Sequence, residues 1–443
     1  VLFVGFTTIY SLYTPAQIGH DESIHFKKMT DLDSMEKSND DVYIKTQPVY
    51  YLALQQVFHL LRVFDPVETT TLATTYHYLR IFSIFCGSLT VFFIYKISQL
   101  FFYKDKWLPI FATAFAAFLP TFLWINSVLN SDVLVWLLST IGIFFLMKYA
   151  NEIKKIQFLL LSAIFISLAV STKVNSQILY VVVLVLFFYL LISKSVSIKL
   201  FFTHLTIFFS TTILATVWHM YLLTRWDFNP LYFHLLNNVR ILVTKPELVS
   251  FARGGHAVAE ESSFGLVTNF DFVFTRLFNF NFGGFGWPLV WPSDTLGIFA
   301  WSSNLFFPQS PWISGHIEFA FVIFIISLIG IIFYILRNYI PVLKRQKHLP
   351  TLELKKPHTV IIIATVLIMV GAIWINWYFT EVGLARYTYP AISGYGIFIC
   401  LGLSAFIPKK ILYFILLIPV IFLIILNIHL ISLMGIQYLP DLE

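Results

Sequence analysis

The 443-residue chain is short of charge, short of cysteine and empty of soluble cofactor signatures. Charged residues make up 12% of it, about half the usual share, while 58% are hydrophobic and the mean hydropathy is +0.79. Too little polar surface is available to cover a soluble domain, so the composition predicts an integral membrane protein. The two cysteines, Cys86 and Cys400, both fall in apolar runs, which excludes a disulfide framework. No Asn-x-Ser/Thr sequon occurs, and no P-loop, CxxC, HExxH or strand–GxGxxG–helix motif, so nothing points to a nucleotide or structural zinc site. Internal repeats and low-complexity segments are also missing.

What is present in quantity is apolar length. Candidate spans fall at roughly 1–13, 79–102, 107–125, 132–149, 157–172, 177–193, 200–223, 316–336, 359–379, 388–407 and 411–434, eleven in all, most long enough for a hydrocarbon core about 30 Å thick. The first is too short to cross, and it opens on a Val rather than a Met, so the start of the chain is expected to be missing. A signal peptide fits it poorly, without a basic start or a small-residue cleavage site. The Lys/Arg bias of the short loops sets an orientation. The loops at 103–106, 148–155, 194–199, 337–358 and 408–410 are all basic, and with eleven spans all five fall on the cytoplasmic side. Loops 14–78 and 224–315 then face outward, together with the acidic tail Asp441-Leu442-Glu443. The net charge of +6 is therefore a topology signal, not a nucleic-acid patch. Heavy use of Phe, Ile, Lys and Asn suggests an AT-rich genome and a bacterial plasma membrane. A single polytopic membrane domain over 1–443 is expected, with its C-terminus outside.

The first outer loop holds Asp21-Glu22 with His25 one helical turn on, then a polar stretch, then Gln47-Pro48-Val49-Tyr50-Tyr51-Leu52. Pro48 is placed to start a helix running to Phe64, with Gln55, Gln56, His59 and Arg62 off its apolar stripe; such a helix is expected to lie in the membrane interface. A second helix near 67–78 would lead into the next span. The second outer loop is long and aromatic, with Arg276 ahead of Phe282-Gly283-Gly284-Phe285-Gly286-Trp287. Its Phe and Trp content argues for packing at the membrane surface.

Four constellations can carry chemistry. A carboxylate at the edge of a low-dielectric region can act as a general base, because partial burial raises its pKa; a solvated loop start is the bland alternative for Asp21 and Glu22. Adjacent residues point in different directions, so one of the two is expected to face substrate. Lys173 and Arg386 both sit at span ends on the outer side, where few cations are expected, and could hold a lipid phosphate, although simple snorkelling also explains them. The turn Asn126-Ser127-Val128-Leu129-Asn130-Ser131-Asp132 would bring Asn130 and Asp132 near the first loop, with helix capping as its plainer reading. Finally, the Gly/aromatic run 282–287 lets backbone approach a ligand and offers rings for stacking, or anchors the loop in lipid. Histidines 20, 25, 59, 77 and 256 could ligate a metal, but no spacing supports it; a divalent ion near Asp21 is left open.

Together these pieces resemble the GT-C membrane glycosyltransferases, the clan of protein O-mannosyltransferases and aminoarabinose transferases. The likeness lies in the order of motifs: Asp21-Glu22-Ser23-Ile24-His25-Phe26 after the first span, Gln47-Pro48-Val49-Tyr50-Tyr51, the Asn130-Ser131-Asp132 turn, Phe285-Gly286-Trp287 and Ala385-Arg386-Tyr387-Thr388-Tyr389-Pro390. It covers most of the chain and looks closest to a bacterial branch without an assigned function. Where relatives carry His-Pro-Pro this chain has Gln47-Pro48, and where they carry Pro after Asp-Glu it has Ser23.

The resemblance implies an all-α, GT-C-like fold of about eleven transmembrane helices, with interfacial helices in the first outer loop. It also implies a polyprenyl-phosphate sugar donor used outside the membrane, with the first-loop acid as base. That role falls on Asp21 and, second, on Glu22. Lys173 and Arg386 would hold the donor phosphate, and His25, Gln47, Tyr50, Asn130, Asp132, Arg276, Trp287 and Tyr387 are expected to line the substrate site. Two other readings stand beside this one. Arg225, Arg240, Arg253 and Arg276 in the second outer loop would also suit a lipid-linked polysaccharide polymerase or ligase. A non-catalytic lipid-binding or transport protein would instead place its charges at mid-membrane.

Overall fold

The structure, a computed structural model, describes residues 1–16, 22–30, 48–64, 72–225, 332, 358–368 and 390–438. Among these there is no strand, and thirteen α-helices follow one another: α1 Leu2–Tyr13, α2 Glu22–Thr30, α3 Pro48–Phe64, α4 Leu72–Phe101, α5 Leu108–Ala117, α6 Pro120–Ile125, α7 Asp132–Asn151, α8 Ile156–Thr172, α9 Ile178–Ile192, α10 Ile198–Arg225, α11 His358–Ile368, α12 Ile392–Ser404 and α13 Lys409–Tyr438, with a 3-10 turn at Val174–Gln177 between α8 and α9. Among the described residues four stretches are long and apolar enough to cross a membrane: Ala73–Phe101, Asp132–Asn151, Ile198–His219 and Lys409–Ser432. Six shorter apolar helices accompany them, and the chain is a multi-pass membrane protein. The expected second outer loop, and most of the expected spans 316–336 and 359–379, lie outside the described residues.

Local chemistry explains where these helices start. Proline sits in the first turn of α3, α5 and α6, where its missing N–H has no intrahelical partner to lose. Asp132 opens α7, a negative charge at the positive end of a helix dipole, and its amide donates to Asn130 Oδ1 at 2.9 Å. One expectation about the segment between α1 and α4 changes. The helix placed near 67–78 is instead the start of α4, which runs unbroken from Leu72 because nothing between Ala73 and Arg80 punctuates it. Helix α3 spans 48–64 as expected, yet it packs Tyr50, Tyr51, Leu54 and Phe58 against protein. Even Gln55, assigned to its polar side, is buried there.

Helix α7 is the centre of the bundle: 83% of its most apolar stretch is buried, against 28–39% for the other three long spans. It packs on α8 closely enough that a Cβ on Gly142 would stand 2.7 Å from the Ile166 side chain, and Ser162 Oγ donates to the Gly142 carbonyl at 3.0 Å. The α5–α6 break at Phe118-Leu119 is tied to the rest of the bundle by one side chain at membrane depth. Asn427 on α13 donates to the Phe118 carbonyl at 2.9 Å and accepts the Tyr10 hydroxyl of α1 at 2.9 Å. Such a polar group is tolerated in a span because it faces protein and satisfies backbone freed by the break.

The two ends of the bundle differ in charge. Lys104, Lys106, Lys154, Lys194, Lys199 and Lys410 are exposed in or beside the turns that follow α4, α7 and α9 and precede α13. Arg80 and Phe101 bracket most of α4, about 30 Å apart along its axis, so these basic turns lie a membrane thickness from the end of the bundle that holds Arg80. Asp105 fastens this basic end. Its Oδ2 accepts the Tyr413 hydroxyl at 2.7 Å and the Lys409 ammonium at 2.9 Å, and its Oδ1 accepts the amides of Trp107 and Leu108. Burial alone would raise the Asp105 pKa, but the hydrogen bonds from Lys409, Tyr413 and the two amides outweigh it and hold the carboxyl below its ordinary range. A depressed folded pKa gives stability that is present above the unfolded value of about 4 and is lost as pH falls through the folded one. The wild type is therefore expected to lose thermal stability in detergent as pH drops below about 4. Asp105→Asn should start lower at neutral pH and show a shallower loss, measured as melting temperature against pH.

Candidate active site

The polar end of the bundle is organised by a buried ion pair. Arg80, about two turns into α4, and Glu22, the first residue of α2, are both 0% exposed. Arg80 Nε donates to Glu22 Oε1 at 2.8 Å and Nη2 to Oε2 at 2.7 Å, the bidentate geometry that suits a planar guanidinium. The other N–H groups reach three backbone carbonyls, Nη1 donating to Ser11 at 2.7 Å and Thr14 at 2.6 Å and Nη2 to Pro15 at 2.9 Å, and Nη1 also lies 3.2 Å from His77 Nδ1. Those carbonyls end α1 and have no helical acceptor role left, so one side chain caps α1 and seats α2. All five guanidinium N–H groups are thereby engaged.

Glu22 carries the connection onward. Its Oε1 also accepts the Leu129 amide at 3.0 Å, which draws the turn between α6 and α7 up to the first loop. In the same turn Asn130 caps Asp132, and Asp132 Oδ1 accepts the Lys173 ammonium where α8 ends. Lys173 is 16% exposed at its side chain and Asp132 2%. Two ion pairs drawn from four separate segments are thus linked through one turn, Arg80–Glu22 on one side of it and Asp132–Lys173 on the other.

Helix α3 closes this cluster with its tyrosines. The Tyr51 hydroxyl lies 2.8 Å from His25 Nδ1, and the His25 ring meets Tyr50 edge-on at 5.4 Å. The Tyr50 hydroxyl is fully buried and meets no hydrogen-bond partner among the described residues; the same holds for Ser83 Oγ and Asn126 Oδ1. Burial pushes the Tyr50 pKa well up, and Tyr51, Cys86, Glu22 and Asp132 add to it, so the group is held as a neutral phenol with an O–H to give. Buried polar atoms of this kind mark a place where a bound molecule or water belongs.

The structure brings together six of the expected site residues: Glu22, His25, Tyr50, Asn130, Asp132 and Lys173. Asp21, Gln47, Arg276, Trp287, Arg386 and Tyr387 lie outside the described residues. Glu22 is occupied by Arg80 and by the Leu129 amide, Asn130 by capping, and Lys173 by Asp132. Among the described residues no three His, Cys, Asp or Glu side chains converge as metal ligands. Arg80 is the site residue that the sequence motifs do not single out. A signal for it exists, because Arg80 stands in Tyr78-Leu79-Arg80-Ile81-Phe82, within the first turns of a long apolar helix. An unexpected cation at that depth is as telling there as at Lys173 or Arg386.

Residues 70–220, about a third of the chain, match the family of dolichyl-phosphate-mannose-protein mannosyltransferases. That match falls within the GT-C membrane glycosyltransferases, the clan the motifs resemble, and it contains Arg80, Asp132 and Lys173. No curated protein matches the chain. A crystal structure of ArnT from Cupriavidus metallidurans bound to undecaprenyl phosphate aligns over 91% of this chain and 75% of that one, at 13% identity and a TM-score of 0.39.

Proposed function

We propose that this protein transfers a sugar from a polyprenyl-phosphate donor to an acceptor hydroxyl, with inversion, at the membrane end where Arg80, Glu22, Asp132 and Lys173 gather. The observation that carries the reading is the family match over 70–220 together with this buried charge cluster at its polar end. Transporters place coupled charges at mid-membrane, whereas these close one end of four helical segments.

In this mechanism Asp21 is the general base. Glu22 is the poorer candidate, since both its oxygens already accept hydrogen bonds from Arg80 and one from Leu129. Its role is to fix the segment that carries its neighbour. Asp21 takes the proton of the acceptor hydroxyl as that oxygen bonds to the anomeric carbon from the face opposite the phosphate. The bond from the anomeric carbon to the phosphate oxygen breaks, and its electron pair leaves on the polyprenyl phosphate. The growing negative charge is met by Lys173, which Asp132 already holds in place, and by Arg386. One carboxylate and a cationic clamp therefore suffice where a glycoside hydrolase needs two carboxylates. Tyr50 offers its O–H to the sugar or acceptor, His25 positions the tyrosines of α3, and Gln47, Asn130, Asp132, Arg276, Trp287 and Tyr387 complete the lining. The second outer loop excludes water, which suppresses hydrolysis of the donor. An extracytoplasmic site in a bacterial plasma membrane fits the basic turns at the other end.

Purified full-length protein is expected to use a polyprenyl-monophosphate sugar and to ignore the corresponding diphosphate donor. The test follows radiolabelled sugar from each donor into product or water. Turnover of the diphosphate alone would point instead to a polymerase or ligase and overturn the assignment.

A further inference from the structure

At the opposite, basic end, the geometry points to a binding site for an anionic phospholipid at the joint between the α4–α5 turn and the start of α13. Asp105 builds this joint by binding Tyr413 and Lys409 of α13 while its own turn closes on the amides of Trp107 and Leu108. Phe111 stacks on Tyr413 at 6.2 Å and 16°, which fixes α5 beside α13. Two segments that are distant in sequence are thereby held side by side, and each brings two lysines: Lys104 and Lys106, Lys409 and Lys410.

The charge does not cancel. Asp105 engages Lys409, while Lys104, Lys106 and Lys410 are exposed. Lys104 stands 5.4 Å over the Tyr103 ring, and Trp107 is 57% exposed, so aromatic faces lie at the same level as the cations. Below them the same two helices present Ile110 of α5, with Ile411 and Phe414 of α13, as exposed apolar surface. Cations and interfacial aromatics above exposed aliphatic side chains suit a molecule with a phosphate head and acyl chains. Other basic turns are less well furnished: Lys155 is held by Glu152 at 2.6 Å, and the turn at Lys194 has no exposed ring among its own residues. This site stands apart from the proposed catalytic end and does not depend on that reading.

Native mass spectrometry of the full chain in neutral detergent, titrated with phosphatidylglycerol or with phosphatidylcholine of matched chains, tests it. Wild type is expected to retain phosphatidylglycerol at concentrations at least tenfold below those needed for phosphatidylcholine. Lys106→Gln should weaken phosphatidylglycerol about fivefold, the share of one headgroup-level cation. Lys104→Gln/Lys106→Gln/Lys410→Gln should erase the preference, and Lys154→Gln/Lys194→Gln/Lys199→Gln should leave it in place. If the first triple variant fails to fold, the single Lys106→Gln carries the result. Equal retention of the two lipids, equal losses in both triple variants, or displacement by inorganic phosphate at lipid-like concentrations would each overturn the site.

Discussion

Arg80→Ala is expected to be the most damaging single substitution in the described part of the chain. It would leave Glu22 as a buried charge without its guanidinium and free three backbone carbonyls at the end of α1. Breaking one side of a buried pair costs about 3–5 kcal/mol, and the orphaned carbonyls add to that. Transfer should fall further than stability. Glu22 and the Leu129 amide fix the segment next to Asp21, and a displacement of about 1 Å at a reacting group costs roughly a hundredfold in rate. Arg80→Lys keeps the charge but has three donors in place of five, so it should recover stability more than turnover. Melting temperature and turnover measured on the same preparations check this. If Arg80→Ala melts with the wild type, the ion pair does not hold the end of α1.

The second large effect concerns Lys173, whose two possible duties can be separated. The Lys173–Asp132 pair joins α8 to α7, and Asp132 is 2% exposed, so Lys173→Met strands a buried carboxylate at a cost of about 3 kcal/mol or more. If balancing Asp132 were its whole duty, Lys173→Met/Asp132→Leu would restore both stability and polyprenyl-phosphate affinity, because replacing both members of a buried pair is often neutral for stability. A lysine that also grips the donor phosphate gives a split result. The double variant should regain most of its melting temperature while its affinity for polyprenyl phosphate stays at least tenfold weaker than wild type. A double-mutant cycle on both readouts isolates the pair from the phosphate contact. Recovered lipid affinity would remove Lys173 from the donor clamp and leave that work to Arg386.

The helices are legible in the sequence because lipid simplifies the code. Apolar length, proline at helix starts and the sign of the short loops place α3, α7, α8, α9, α10 and α13 within a few residues. Where sequence and fold part, tertiary packing is the cause. No hydropathy pattern distinguishes a face turned to lipid from one turned to protein, so the stripe of α3 suits burial in the interface equally well. The structure buries Tyr50, Tyr51 and Leu54 of that stripe against the bundle and leaves Leu60 exposed. The charge cluster is legible residue by residue but not in its pairings. Lys173 and Asp132 lie 41 positions apart and Arg80 and Glu22 lie 58 apart. Only the folded chain reveals that the cation at 173 answers the acid at 132. Arg80 is easily overlooked because it sits at the lip of a span, where an arginine reads as snorkelling, whereas in the fold it turns inward.

The proposed chemistry rests on residue 21 supplying the base while residue 22 holds it in position. The most direct measurement compares sugar transfer from a polyprenyl-monophosphate donor by wild type and Asp21→Asn, alongside donor-lipid binding by both. Transfer is expected to fall about a thousandfold, within the usual contribution of a general base, with donor binding unchanged within a factor of about two. Asp21→Asn protein that transfers sugar at near wild-type rate would contradict it.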